Sequence, residues 1–243
     1  MTSKSTAVLL AALSLSGAAM AQTKAPEPDY TLSYNVGVVT DYRYRGISQT
    51  RLKPALQGGV DFAHKSGFYI GTWASTIKWI KDAGGSADLE LDIYGGYKGT
   101  VGDFGYDVGV LTYNYPDHSL AISPNTQEIY LAGTWGPATL KYSHAVSNLF
   151  GFDDSKNSWY LDLSATFDLG NGWSVVPHIG HQKVRNWSAA SYTDYSITLA
   201  KDFGNGLSAS AALVDTDSNN AYLSPTGKNL GRGGLVLGVK YTF

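Results

Sequence analysis

Covalent catalysis by a side chain needs a nucleophile within hydrogen-bond reach of a base. The chain has no cysteine and five histidines, so the search narrows to serine with histidine. Ser143 lies beside His144, and His178 lies near His181. Neighbours on a strand point to opposite faces, so Ser143 and His144 cannot bond each other there. The same rule turns His178 inward and His181 outward. No G-x-S-x-G elbow occurs. Metal chemistry fares no better. "DTDSNN" (Asp215 to Asn220) opens like a calcium loop but has Asn220 where a glycine is needed and no glutamate at the twelfth position. It reads as a solvated loop. There is no H-E-x-x-H, and the glycine turns "GGSADLELD" and "GRGGL" lack the phosphate-loop spacing. The sequence predicts no enzyme, no catalytic residue, no metal site and no cofactor.

Chemistry of another kind is written at every second position. In "LSYNVGVVTDYRYRG", Leu32, Tyr34, Val36, Val38, Thr40, Tyr42 and Tyr44 alternate with Ser33, Asn35, Gly37, Val39, Asp41, Arg43 and Arg45. In "ADLELDIYGGYKG", Leu89, Leu91, Ile93, Gly95 and Tyr97 alternate with Asp88, Glu90, Asp92, Tyr94 and Lys98. A helix would scatter these charges all round. A strand sorts them into one apolar and one polar face. The polar face across the chain collects Asn35, Asp41, Arg43, Arg45, Asp61, Asp88, Glu90, Asp92, Asp107, Glu128, Lys141, Asp162, Asp194 and Lys240. Such groups can pair with one another, or line a water path and bias which ions pass. Acids outnumber bases in this set, a lean toward cations.

The elements that must carry these residues are strands at about 31–45, 55–64, 68–77, 87–98, 104–115, 126–135, 138–147, 158–168, 173–183, 193–203, 207–216 and 234–243. Twelve is the expected number, with ten or fourteen as the alternatives. Strands three, six, seven and eleven alternate less cleanly. Pro177 sits inside the ninth, where it removes a ladder bond, so a bulge or a late start at His178 is expected. Short turns such as "KSG", "GP" and the repeated "GNG" alternate strictly with long loops such as "GISQTRLKP" and "SNLFGFDDSKN". Both termini then fall on the short-turn side.

A soluble sandwich has no reason to keep its short turns at one end. An antiparallel transmembrane β-barrel does: its periplasmic turns are short and its extracellular loops long. Strands of about 10–11 residues at ~3.3 Å each, tilted by ~45°, reach roughly 25 Å, the height of the outer-membrane apolar band. Aromatic residues gather at the strand ends. Phe104, Tyr106, Trp135, Phe167, Trp173, Phe203, Tyr241 and Phe243 stand near the short turns; Tyr42, Tyr44, Trp79, Trp159 and Trp187 stand near the long loops. Two such belts are expected where rings meet headgroups.

The rest of the composition agrees. Tyrosine (17) and glycine (28) are abundant among the 243 residues, and charge is sparse. Residues 1–21 read as a secretory signal peptide: Lys4, an apolar run, then Ala19-Met20-Ala21. Residues 22–243 then form a single barrel domain. The formal net charge of −2 is too mild to argue for nucleic acid. No stretch of this domain offers ~18 consecutive apolar residues, so no helix is expected to span a membrane.

The segments "YNVGVVTDYRYRGISQT", "PALQGGVDFAHKSGFYIGTWAS", "LELDIYGGYKG" and "GYDVGVLTYNYP" resemble the TorF family of porins. The resemblance is densest from Tyr34 to Tyr115 and fades toward the C-terminus. It implies a Gram-negative outer-membrane channel, and it implies no substrate. The combined expectation is passive diffusion of small solutes or ions through a narrow charged lumen, the alternative being a non-conducting barrel that acts through its loops. Its partners would be the outer-membrane bilayer with its lipopolysaccharide, small solutes and the barrel-assembly machinery. The last strand, "GLVLGVKYTF", should close onto the first, and its Tyr241 and Phe243 resemble the signal that machinery reads.

Overall fold

The computed structural model describes residues 28–218 and 220–243. The signal peptide and cleavage site expected from the sequence lie outside the described residues. Twelve antiparallel strands form the wall: β1 Tyr30–Val39, β2 Ala55–His64, β3 Phe68–Thr76, β4 Leu89–Val101, β5 Phe104–Asn114, β6 Thr126–Trp135, β7 Ala138–Ala145, β8 Trp159–Ala165 continued as Phe167–Gly170, β9 Trp173–Lys183, β10 Tyr192–Gly204, β11 Leu207–Thr216 and β12 Gly234–Thr242. Each pairs with its sequence neighbours, and β12 returns to β1. The sheet is therefore a closed barrel. Closure pairs the backbone groups without leaving an edge. The six long loops are L1 (residues 40–54), L2 (77–88), L3 (115–125), L4 (146–158), L5 (184–191) and L6 (217–233).

The period-two pattern becomes geometry at once. Val36 pairs with Tyr241 and Val38 with Val239 across the seam, all on the outer face. Leu140, Leu163, Leu199 and Leu237 are outward and each more than two-fifths exposed. Inside, Glu90, Glu128 and Asp194 are each only 2% exposed. An apolar exterior around a polar interior is the reverse of a water-soluble core, and it suits a lipid surround. Tyrosine and glycine are abundant for a linked reason. Tyr94 lies flat over its cross-strand partner Gly71, Tyr69 over Gly96 and Tyr130 over Gly109. A Cβ at Gly71 would stand 2.5 Å from the Tyr94 ring. Glycine opens the space that lets each ring lie along the inner wall.

The two "GNG" turns fold alike. In each, the Gly-Asn-Gly residues all have positive φ, and the register shifts beside them. Asp168 and Asp202 accept the backbone N–H of Gly170 and Gly204 at 2.8 and 2.7 Å. At this rim Phe104, Trp135, Phe167, Trp173, Phe203, Tyr241 and Phe243 project outward. The Lys201 ammonium lies 5.3 Å from the Trp173 ring centre and 5.9 Å from that of Phe203, a cation drawn to aromatic faces.

Three expectations need correction. β1 ends at Val39, not at residue 45, because Asp41 breaks it. Its carboxylate accepts from Ser48 Oγ and from Arg43 Nε, each at 2.5 Å, and so folds L1 back on itself. The chain then makes a small hairpin, Arg43–Tyr44 against Ile47–Ser48. Arg45 and Gly46 form its turn with φ of 47° and 78°, as a primed type I turn requires. Tyr42, Tyr44 and Trp79 consequently leave the outer belt. They pack inward with Ile77, Ile80, Tyr113 and Tyr115 in an apolar cluster under the long loops. Pro177, finally, causes neither a bulge nor a late start. β9 begins at Trp173 and pairs with β10 straight through Pro177. The ladder breaks on the other side instead. There Ser164 pairs with His178 and Phe167 with Val175, leaving Ala165 and Thr166 opposite Pro177 and Val176.

Candidate functional site

L1 does not stay at the rim. Its hairpin enters the barrel and places Arg45 in the lumen. The Arg45 Nη2 donates to Glu128 Oε2 at 2.7 Å, and Nη1 donates to Gln182 Oε1 at 2.6 Å. Its guanidinium carbon sits 4.3 Å from the Tyr160 ring centre and 4.9 Å from that of Tyr44. Arg45 and Glu128 are buried, with side-chain exposures of 6% and 1%. A charge so removed from water needs its partner and its hydrogen bonds. On the other side of the turn, a Cβ at Gly46 would meet Asp194 Cβ at 2.7 Å. The tip is thus wedged between β6 on one side and β10 on the other.

Arg43 fixes the hairpin from above. Its Nη1 donates to the carbonyls of Gly46 and Leu230 at 2.9 Å each and of Arg232 at 3.1 Å. L1 and L6 are thereby stapled together.

Around this tip the inner wall is a set of tyrosine–carboxylate bonds. Tyr113 donates to Glu128 at 3.1 Å and also bonds the Tyr44 hydroxyl. Tyr160 donates to Asp194 at 2.9 Å. His178 Nε2 is 2.8 Å from Asp162, and its Nδ1 is 3.6 Å from Asp194. Tyr42 donates to Glu90 at 2.9 Å. Nearer the short turns, Tyr94 donates to Asp61 at 2.5 Å and Tyr69 to Asp107 at 2.6 Å. Lys141 lies 4.1 Å above the Tyr130 ring. A tyrosine hydroxyl satisfies one carboxylate oxygen and leaves its charge in place. Asp92 Oδ1 and Glu128 Oε1 are buried without a hydrogen-bond partner among the described residues.

Three cavities follow the axis. A vestibule of about 310 Å³ lies among the long loops, and a lumenal cavity of about 410 Å³ lies below it. Tyr44 and Arg45 line both, so they form the partition. A third cavity, about 380 Å³, carries Asn35, Gln57 and Lys240 toward the short-turn end.

The predicted residues thus fall into groups. Arg43, Arg45, Glu128, Lys141, Asp162 and Asp194 converge at the partition. Asp61, Asp107, Asn35 and Lys240 are inward nearer the short turns. Glu90 and Asp92 are inward beneath the apolar cluster. Asp41 serves the L1 hairpin rather than the wall. Asp88 does not face the lumen: it precedes β4, is exposed, and accepts from Lys81 Nζ at 2.7 Å. That hydrogen bond and the ammonium charge hold the Asp88 carboxyl below its usual range. Sequence reasoning missed Tyr44, Tyr113, Tyr160 and Gln182. Strand parity could have found three of them, since Tyr113, Tyr160 and Gln182 share the inward phase of Asp107, Asp162 and His178. Tyr44 was hidden by the break at Asp41.

The other histidines take outer or rim positions. His144 bonds Tyr142 and Asn157, and His181 packs on Trp159 at 5.6 Å. Ser143 is buried on the opposite face from His144. Among the described residues no group of three or more His, Asp or Glu has the geometry to hold a metal ion.

A family model described as "Bacterial protein of unknown function (Gcw_chp)" matches residues 23–243. None of the curated proteins compared with the chain matches it. Among solved structures, the KdgM porin is similar at 9% identity and a TM-score of 0.56, over 87% of this chain and 98% of that one. The same porin in complex with disordered oligogalacturonate matches over 87% and 98%, at 8% identity and a TM-score of 0.56. The NanC porin matches at 11% identity and a TM-score of 0.56, over 87% and 99%. At such identities the likeness is one of fold: a closed outer-membrane porin barrel.

Proposed function

The chain belongs to the Gcw_chp family of bacterial proteins of unknown function, and from that premise we propose that it is a porin-like channel of the outer membrane. Small solutes or ions diffuse passively through its lumen and are screened at Arg45. The observation that carries this reading is the run of cavities along the axis, divided by Tyr44 and Arg45 on one loop tip. A path with a single narrow point discriminates by width and by local charge. The porin fold and the TorF-like motifs support it. Lipid and lipopolysaccharide would meet the apolar belt, and the short turns would face the periplasm. Tyr241 and Phe243 would present the strand that the barrel-assembly machinery reads.

The solute class follows from charge. Carboxylates outnumber basic groups on the inner wall, and the two arginines of the L1 hairpin, Arg43 and Arg45, are already neutralised, by Asp41 and Glu128. Small cations and neutral solutes suit such a lumen better than a polyanion such as the oligogalacturonate bound by KdgM.

The test is reconstitution of folded protein into planar bilayers. Discrete conductance steps are expected. Replacing Arg43 and Arg45 together by alanine should raise conductance and shift the reversal potential toward cations. Folded protein that carries no current in either form would favour the second reading, a closed barrel acting through its loops. The wedged L1 hairpin is the observation on that side.

A further inference from the structure

Among the described residues the wall strands carry five lysines: Lys98, Lys141, Lys183, Lys201 and Lys240. Lys98, Lys141 and Lys240 point inward. The other two face outward, one at each rim. Lys201, at the short turns, is already engaged: it lies against Trp173 and Phe203 and donates to the Asn171 carbonyl. Lys183, at the long loops, is not. It ends β9 on the same face as Ile179 and His181, is exposed, and has no ion pair among the described residues. The alternation carries past the strand end. Val184 is wholly buried, and Arg185 is exposed, again without an ion pair among the described residues. A cation on the outer wall is costly at the middle of a bilayer and tolerated near the headgroups, where it meets lipid phosphate.

Beside and beneath these two cations lies a shelf of rings. Lys183 stands opposite Trp159 in the ladder, and Trp159 opposite His144. Trp159 packs on His181 at 5.6 Å and on Tyr142 at 6.2 Å, and Tyr142 on His144 at 6.1 Å. Further down, the same three strands present Leu140, Leu161, Leu163 and Ile179, each at least two-fifths exposed. Carboxylates of the flanking loops are engaged elsewhere: Asp154 accepts from Asn186, and Asp217 from the Thr193 N–H. From the loops toward the middle of the wall, this face therefore runs from cation to ring to hydrocarbon. A phospholipid matches the first and the last, but its glycerol offers no flat face to the rings. A phosphorylated sugar bearing acyl chains matches all three.

We propose that the outer face of β7, β8 and β9 binds one molecule of lipid A, the phosphorylated diglucosamine anchor of lipopolysaccharide. Lys183 and Arg185 donate to one of its phosphates. A glucosamine ring lies on Trp159, and the acyl chains run down over Leu161, Leu163 and Ile179. The inference rests on the outer-membrane reading and names where on the barrel lipopolysaccharide is held.

The test titrates the full folded chain in detergent micelles with diphosphoryl lipid A and counts bound molecules by native mass spectrometry. Phosphatidylglycerol and inorganic phosphate run in parallel. Heat-modifiable gel mobility confirms that each variant is folded. One lipid A should be retained per barrel, more tightly than phosphatidylglycerol, and excess inorganic phosphate should not displace it. Replacing Lys183 and Arg185 together by glutamine should weaken retention about tenfold. Lys201→Gln, at the opposite rim, should change nothing. Trp159→Leu keeps the surface apolar and should weaken lipid A but not phosphatidylglycerol. Unchanged retention in the double variant, an equal loss in Lys201→Gln, or phosphatidylglycerol bound as tightly as lipid A overturns the proposal. Density fractionation of cells separates it from the reading beneath it. A chain found in outer membranes that retains no lipid A in micelles sinks the site alone. Lipid A retention by a chain absent from outer membranes sinks the location alone.

Discussion

At the scale of single residues, the Arg45–Glu128 pair is where fold and function compete. Arg45→Ala strands a buried carboxylate, and breaking a buried pair in this way costs about 3–5 kcal/mol. Urea unfolding in micelles should show that loss. Replacing both partners with neutral side chains of similar size, Arg45→Met with Glu128→Gln, should recover most of it while conductance stays raised. If the double variant is as unstable as the single one, the hairpin is held by something other than this pair. The charged positions themselves were legible because parity in a strand is rigid: once Asp92 is inward, so are Glu90 and Tyr94. The rigidity ends where the strand ends. Asp41, Arg43 and Arg45 keep the right spacing for an inward face, yet Arg43 and Arg45 reach the lumen by a hairpin and Asp41 only holds that hairpin. Asp88 has the right phase but lies one residue beyond its strand.

At the scale of elements, the ladder between β8 and β9 is interrupted at Ala165 and Thr166. Pro177 lacks the N–H that would serve Ala165 across the gap. Its ring is on the exposed outer face, so Pro177→Val fits without crowding the lumen. The variant should gain about 1 kcal/mol, read as a higher urea midpoint. Amide exchange at Ala165 should slow, while that at Thr166, whose N–H already donates to the Pro137 carbonyl at 2.8 Å, should change little. Unchanged exchange at Ala165 would place the cause of the break elsewhere. Apart from the end of β1, strand positions were legible to within a few residues, because the apolar-polar alternation and the "GNG" turns both mark them. The side on which Pro177 interrupts the ladder was not, since sequence alone does not say which neighbour a given N–H faces.

At the scale of the whole molecule, the barrel is closed by one seam. Phe243 extends it past β12: its N–H donates to the Tyr34 carbonyl at 2.9 Å, and its carbonyl accepts from Tyr34 N–H at 2.8 Å. Its ring stacks on Tyr34 at 5.8 Å. Phe243→Ala keeps the backbone bonds and removes the stacking. The yield of heat-modifiable, folded protein in outer membranes should fall, while conductance per channel stays the same. A normal yield would mean that closure does not depend on that ring.

The staple between Arg43 and the carbonyls of Leu230 and Arg232 has a mechanical consequence. L6 and the hairpin tip that carries Arg45 are bonded into one piece. An antibody fragment that grips L6 therefore has a handle on Arg45 without ever entering the barrel.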